Sequence, residues 1–460
     1  MHKYNCNKFF YIRVDIYANS NIFVKLNNVR NERWFIMKDI KAAVALIEAG
    51  QVDEAHELLQ SILQTASDEE RFAIVELYED WGFIEDAIDV LELLLERYPT
   101  EGQLLTKLAE LYIELQDDER AIQLLNSIGK EDPFYLHALL LLADTYEGEG
   151  LFEVAEQKLL EAKEIVSRED AFVIDFALAE LLLSIGQAHR AVVFYEKVID
   201  QANEVNGIII AERLAESLTL LGQYEDALRY YNSLTDKDPN RLFKHGFVAY
   251  QANELNRAIQ LWKETIEIDP HYHPVYFELA TVYLEKGQIK EAYNVAQDGL
   301  TYDEFDKRLY YIIGQTSFKL GKEEEAINAL QEAIALDEDY KEAVLLLASI
   351  YEENNDLEQM IQFLHDVKTQ GGADPLYDWK IAQGYNELEQ YNKAKALYDE
   401  VYFHLENDSD FLKEYGFFLI EDGSITEGAN VLRNYIEQKP DDVETIAFLE
   451  RIHFSNDSEI

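Results

Sequence analysis

Apolar residues return along this chain at helical spacing, in short blocks divided by a turn residue at nearly fixed intervals. Ile74, Val75, Leu77 and Tyr78 form one stripe, Gly82 interrupts it, and Ala87, Ile88, Val90, Leu91, Leu94 and Leu95 form a second. Stripes of this period predict amphipathic helices, and a glycine between two of them predicts a tight turn. Pro99 reads as a stop, because proline cannot continue a helix and restricts the residue before it. The unit is helix, turn, helix, stop.

The unit recurs twelve times. A small residue, five places after the turn position, stands at Ala55, Ala87, Ala121, Ala155, Ala191, Ala227, Ala258, Ala292, Ala326, Ala394 and Gly428, with Met360 off type, and most copies are thirty-four residues apart. A period in this range marks stacked supersecondary units, none of which can bury its apolar face alone. Twelve residues earlier lies a second small column, including Ala43, Ala109, Ala143, Gly246, Gly314 and Gly416. Nine before the first stand Tyr78, Tyr112, Tyr146, Tyr283, Tyr351 and Tyr385, and twelve after it Pro99, Pro133, Pro239, Pro270 and Pro440. Ala249 and Ser317 replace the tyrosine, and the seventh repeat is three residues short.

Together these columns resemble the tetratricopeptide repeat (TPR) family, over roughly residues 37 to 440. The resemblance implies an all-α, right-handed superhelical solenoid of about twelve helix-turn-helix repeats that binds protein partners on its concave face. The acidic, low-cysteine character of the whole also resembles the YpiA-like cytosolic TPR proteins of low-GC Gram-positive bacteria. Residues 441–460 read as a C-terminal capping helix and tail: Asp441 and Glu444 have capping-box spacing, and Val443, Ile446, Leu449 and Ile452 follow at helical intervals.

Residues 1–36 differ in kind. They carry Lys3, Lys8, Arg13, Lys25, Arg30 and Arg33 against Asp15 and Glu32, and hold the single cysteine, Cys6. Their bias towards Asn, Lys, Tyr and Ile is that of translated AT-rich spacer, and Glu32-Arg33-Trp34 can be encoded by a ribosome-binding-like stretch just before Met37. The segment is therefore read as a mis-assigned or disordered extension, with Met37 the expected start. Its apolar run, Phe9 to Ile12, is too short for a signal peptide, and nothing reaches the length of a membrane span. The cysteine-free body suits a reducing compartment, and cytoplasm is the expected location.

The chain's formal charge of −50 disfavours nucleic acid and anionic membranes and favours basic protein partners. Much of the acid has a structural use. Asp53-Glu54, Glu85-Asp86, Asp118-Glu119, Glu225-Asp226 and Glu324-Glu325 fall where the second helix begins, and carboxylates there offset the helix dipole. A different column, eleven before the small residue, lies in the middle of the first helix and reads Glu76, Glu110, Asp144, Glu180 and Glu216 through repeats two to six. In the TPR family this position faces the groove, so the resemblance implies a stacked acidic wall. The competing reading is a solvated helix face. Four residues earlier, one turn away, the column turns aromatic in its second half, with Phe243, Phe277, Tyr311 and Trp379. These suit either anchoring of a bound segment or packing between repeats. TPR domains that grip acidic C-termini use Lys, Asn and Arg at the inner positions. Acidic or apolar residues stand there here, so a carboxylate ligand is expected to be repelled.

Nothing points to catalysis. There is no Gly-rich phosphate loop, no Gly-x-Ser-x-Gly and no cysteine nucleophile in the body. His271 and His273 flank Tyr272 in an inter-repeat turn, short of the three or four ligands a metal site needs. Gly371-Gly372 reads as a loop, and Asp374-Pro375 as the start of a helix. The expectation is a non-catalytic scaffold without cofactor. It binds a basic segment through Glu76, Glu110, Asp144, Glu180 and Glu216, with Phe243, Phe277, Tyr311 and Trp379 taking apolar side chains. RNA polymerase and ribosomal proteins are examples of suitably basic surfaces. An assembly chaperone for basic subunits and a peptide-sensing regulator remain alternatives.

Overall fold

Each apolar stripe becomes a helix, and consecutive helices fold back on one another at the turn residues. The computed structural model describes residues 38–372 and 374–457; the expected extension and Met37 lie outside these. In the amino-terminal part, α1 (Lys38–Glu48) pairs with α2 (Val52–Leu63), α3 (Asp68–Asp80) with α4 (Ile84–Leu95), and α5 (Gly102–Glu114) with α6 (Asp118–Asn126). Then α7 (Tyr135–Gly148) pairs with α8 (Phe152–Ile165), α9 (Ala171–Ser184) with α10 (Ala188–Ile199), and α11 (Ile210–Leu220) with α12 (Tyr224–Ser233). The carboxy-terminal part continues with α13 (Pro239–Gln251) on α14 (Leu255–Ile268), α15 (Pro274–Glu285) on α16 (Ile289–Leu300), and α17 (Lys307–Lys319) on α18 (Glu323–Leu336). Next come α19 (Lys341–Glu353) on α20 (Leu357–Gln370), α21 (Pro375–Glu387) on α22 (Tyr391–Leu405) and α23 (Ser409–Glu421) on α24 (Ile425–Gln438). A last helix, α25 (Val443–Asp457), follows. The protein is an all-α repeat structure.

The turn between the helices of every hairpin passes through the left-handed region. The residue five before each small position has positive φ: Gly50, Gly82, Gln116, Gly150, Gly186, Gly222, Asn253, Gly287, Gly321, Asn355, Glu389 and Gly423. Glycine reaches that region without steric cost and asparagine at little cost, which explains the composition of the column. The acidic pairs expected at the second helices do stand in their first turns.

The small columns clear space for a large side chain on the partner helix. A Cβ on Gly246 would lie 2.4 Å from Trp262 Nε1, one on Gly314 2.6 Å from Leu330, and one on Gly416 2.7 Å from Leu432. Trp262, Leu330 and Leu432 each stand four residues after the other small position, and all three are fully buried. Met360 keeps this geometry because Gly384, on the next repeat, leaves room for its terminal methyl.

Several details depart from expectation. Pro239 does not stop a helix; α12 ends earlier, at Ser233, and Pro239 opens α13, with the Asp238 carboxylate accepting the Arg241 N–H. A missing N–H costs nothing at the first helical position. The cap of α25 is Asp442, not the expected Asp441 and Glu444. Its carboxylate accepts the Thr445 N–H and hydroxyl at 3.1 and 3.0 Å and also holds Lys413 and Tyr435. Between α10 and α11 an unexpected hairpin appears, β1 (Glu204–Val205) antiparallel to β2 (Ile208–Ile209), turning at Asn206 and Gly207, both of positive φ. Asp374 and Pro375 do start α21.

By internal contacts the chain forms two compact units, divided between Asp236 and Lys237. In the first, buried stacks run from Ile40 through Tyr78, Leu111 and Leu142 to Phe176, Tyr195 and Leu214. In the second they include Leu330, Leu347, Met360 and Ile381, then Tyr398, Phe411 and Leu432.

Candidate functional site

The first helices of repeats two to six, α3, α5, α7, α9 and α11, each carry at least two acidic residues, opposed only by Arg71, Lys107 and Arg213. Polar contacts join these helices one to the next. Lys107 Nζ on α5 lies 2.5 Å from Glu79 Oε2 on α3 and 3.3 Å from Glu110 Oε2 on its own helix. His137 Nε2 on α7 is 3.2 Å from Glu110 Oε1. Ser184 on α9 donates to Glu147 on α7 at 3.4 Å. Arg213 on α11 sets Nε 3.1 Å from Glu180 Oε1 on α9, and Nη1 3.0 Å from Glu216. Glu110, Glu180 and Glu216 thus take part in contacts that run along one face of the first unit, on helices α5, α9 and α11, while Glu76 and Asp144 lie on the neighbouring helices α3 and α7.

That face is not a row of bare carboxylates. Glu110, Glu180 and Glu216 are partly neutralised by side chains the column did not include. Lys107 and Arg213 each stand three residues before an acid of the row, a spacing that places both on one helix face. His137 comes from the neighbouring repeat. Glu180 is buried, its side chain 8% exposed, and it also accepts the hydroxyl of Tyr195 on α10. The hydrogen bond from His137 and the charge of Lys107 hold the Glu110 carboxyl below its ordinary value, against the opposing effect of burial. Glu76 and Asp144 are half-buried on the same helices.

The aromatic column divides between the units. In the first, Thr106, Leu140 and Phe176 are buried and serve packing. In the second, Phe243, Phe277, Tyr311 and Trp379 are half-buried, and each touches the repeat that follows. Phe243 meets Tyr272 with ring centroids 5.1 Å apart, and Tyr311 meets Tyr340 at 5.5 Å. The Arg308 guanidinium lies 4.6 Å from the Phe277 ring centre. Trp379 stands edge-on to Phe411 and gives its indole N–H to Glu414 at 3.0 Å. Glu414 also accepts Gln383 and Tyr398, so it ties α21 and α22 to α23. These aromatics brace successive repeats while keeping part of each ring accessible.

Among the described residues no group of three or more His, Cys, Asp or Glu is placed to hold a metal ion. His271 packs against Tyr302, and His273 Nδ1 lies 4.0 Å from Asp303. Among the same residues no helix is long and apolar enough to cross a membrane.

Family models described as "YpiA-like, tetratricopeptide repeats" and "YpiA-like, C-terminal tetratricopeptide repeats" match residues 148–203 and 375–442. Models described as "Tetratricopeptide repeat" match residues 84–144, 249–315, 317–383 and 212–241. The chain is similar to the TPR repeat-containing protein YpiA of Bacillus subtilis (strain 168), 38% identical over 400 residues that cover 86% of this chain and 94% of that protein. Similar solved structures include the C-terminal part of a TPR repeat-containing protein from Cytophaga hutchinsonii, 16% identical, covering 52% of this chain and 98% of that one, with a TM-score of 0.46. The Cut9–Hcn1 hetero-tetramer of APC/C is another, 14% identical, covering 91% and 97%, with a TM-score of 0.37.

Proposed function

Because the chain belongs to the YpiA-like family of tetratricopeptide repeat proteins, whose repeats generally mediate protein–protein contacts, we propose that it is a non-catalytic cytoplasmic scaffold that captures a basic segment of a protein partner. The acidic face of the first unit carries this reading. Five consecutive first helices present carboxylates at matched positions, while the cations among them are fewer and already engaged. An incoming Lys or Arg gains from the summed field of the face, which raises the association rate and makes binding salt-sensitive. The half-exposed aromatics of the second unit take apolar side chains of a partner.

Glu110 and Glu180 tie neighbouring helices, and Glu216 holds the Arg213 that reaches Glu180, so their removal perturbs the fold as well as the charge. Amide replacements of Glu76, Asp144 and Glu147 remove charge from the face while keeping the size and hydrogen-bonding capacity of each side chain. Anisotropy of a labelled Lys/Arg-rich peptide, titrated with the full chain at low and high salt, tests the proposal. Glu76→Gln/Asp144→Asn/Glu147→Gln should weaken binding about tenfold and flatten the salt dependence. Equal affinity of the triple variant and the parent, or of the basic peptide and a neutral counterpart, would overturn it.

A further inference from the structure

Three successive repeats of the second unit leave apolar side chains exposed where one repeat joins the next. Ten residues after the small position most repeats are polar, with Thr65, Arg97, Glu131, Gln201, Gln370 and Gln438 among them, but repeats seven, eight and nine carry Ile268, Tyr302 and Leu336. These are 43%, 39% and 38% exposed, and Phe305, three residues after Tyr302, is 70% exposed where other repeats have Thr100, Asn240, Asp339 or Asn407. The repeat itself does not call for an apolar residue at either place. Contacts tie the three junctions together. Tyr302, just beyond α16, stacks on Tyr276 of α15 with ring centroids 5.6 Å apart, and meets His271, in the loop after Ile268, at 5.2 Å. Lys307, which opens α17, reaches the Asp337 carboxylate and lies 5.1 Å from the ring centre of Tyr340, in the loop after Leu336. The charge here is predominantly of one sign. The ends of the second helices and the loops after them, residues 263–273, 297–308 and 331–341, hold three, four and four Asp or Glu, against Lys263, Lys307, Arg308 and Lys341 in all. Lys307, Arg308 and Lys341 are held by Asp337, Asp306 and Asp374, and Lys237, one repeat earlier, by Glu264. Glu267, Glu304 and Glu338 are exposed, within two residues of Ile268, Phe305 and Leu336 respectively.

We propose that these three junctions form a second docking edge, which takes a protein segment carrying large apolar side chains together with Lys or Arg. The inference goes beyond the scaffold reading, because it uses neither the first-helix carboxylates of the first unit nor the aromatic column of the second. Ile268, Tyr302, Phe305 and Leu336 offer apolar contact at three successive repeats, more than singly scattered surface residues would. The surrounding carboxylates then select the sign of charge. An acidic segment, or a second copy of a chain of net charge −50, would bring like charge to an edge whose loop cations are already engaged with acids of their own.

The test uses the full chain carrying Glu76→Gln/Asp144→Asn/Glu147→Gln, in which the first unit's pull on basic peptides is reduced, and three labelled peptides of one length. One alternates Leu and Phe with Lys, the second has Ser in place of each Leu and Phe, and the third has Glu in place of each Lys. The first should bind most tightly. Phe305→Ser, at an exposed position, should weaken it about fivefold or more and leave the Ser peptide unchanged. Glu304→Gln/Glu338→Gln should weaken it about threefold and flatten its salt dependence. An unchanged affinity in Phe305→Ser or in the double Gln variant, or a Glu peptide that binds as well as the Lys peptide, would overturn the inference. So would a dimer of the parent chain, seen by sedimentation, that Phe305→Ser dissolves, which would assign the edge to a second copy. Failure of the scaffold reading shows separately, as binding of the basic Ser peptide that is the same with and without the first-unit triple variant.

Discussion

Replacing Arg213 by leucine asks how strongly the first unit depends on the cations held within its acidic face. The guanidinium contacts both oxygens of Glu180, at 3.1 and 3.3 Å, and reaches Glu216 at 3.0 Å, so one side chain neutralises acids on α9 and α11. Its loss leaves Glu180 buried with the Tyr195 hydroxyl as its remaining hydrogen-bond donor among these three groups. Removing one partner of a buried ion pair costs about 3–5 kcal/mol, chiefly because a desolvated charge is left behind. Arg213 is itself partly exposed, so the lower end, roughly 3 kcal/mol, applies. Removing the charge together with its partner should cost far less. Glu180→Leu/Arg213→Leu still leaves the Tyr195 hydroxyl unpaired, at roughly 1–3 kcal/mol, and adding Tyr195→Phe should bring the three-residue replacement back to within about 1 kcal/mol of the parent. Native-state hydrogen exchange on peptides from α9 and α11 reads this locally: about 100-fold faster exchange through sub-global opening in Arg213→Leu, and near-parent protection in the triple replacement. A change below about threefold in Arg213→Leu, or a triple replacement as labile as the single one, would refute the reasoning.

Three further outcomes are expected. Tyr78, Tyr276 and Tyr377 are buried, and burial pushes each phenol up to about 12. Unfolded phenols ionise near pH 10, so stability is intact below that pH and falls as pH rises towards 12. At pH 11 each phenol accounts for about 1.4 kcal/mol, and cooperative loss of helicity should accompany phenolate absorbance; phenols titrating near pH 10 in a fully helical chain would contradict this. Gln116 and Glu389 adopt φ of 61° and 58° at turns where most repeats use Gly, so Gln116→Gly and Glu389→Gly should each stabilise by about 0.5–1 kcal/mol in urea titrations, and destabilisation by either would refute the strain argument. Gly246→Ala sets a methyl 2.4 Å from Trp262 Nε1 and should destabilise by about 1–3 kcal/mol, with a shift in tryptophan emission as the indole moves; an unchanged midpoint would show that the indole yields freely.

What could be read from the residues and what could not follow from the range of the interactions. Helices and turns were legible because helical periodicity and left-handed backbone are local properties; even Gln116 and Glu389 turn where the spacing requires it. The Asn206-Gly207 hairpin was equally local, an Asn-Gly pair between Glu204-Val205 and Ile208-Ile209, and was hidden by the expectation of helix alone. Pro239 was misplaced for a related reason: proline is excluded from helix interiors but suits a first turn, and only the position of the preceding helix end distinguishes the two.

The faces are a different matter, because a column records which residues share a height on successive helices and not what reaches them from the side. Glu180 and Glu76 occupy the same place in their repeats, yet Glu180 is buried beneath Arg213 and Tyr195. Phe176 and Phe277 share a column as well. The first is sealed beside Tyr195 of its own hairpin, and the second is left half-open beneath an arginine of the next repeat. Each difference is made by a residue outside the column, on a partner helix or a neighbouring repeat. The repeat thus sets the height at which a side chain stands on its helix, and the neighbours' side chains set how far it is buried and what charge it meets.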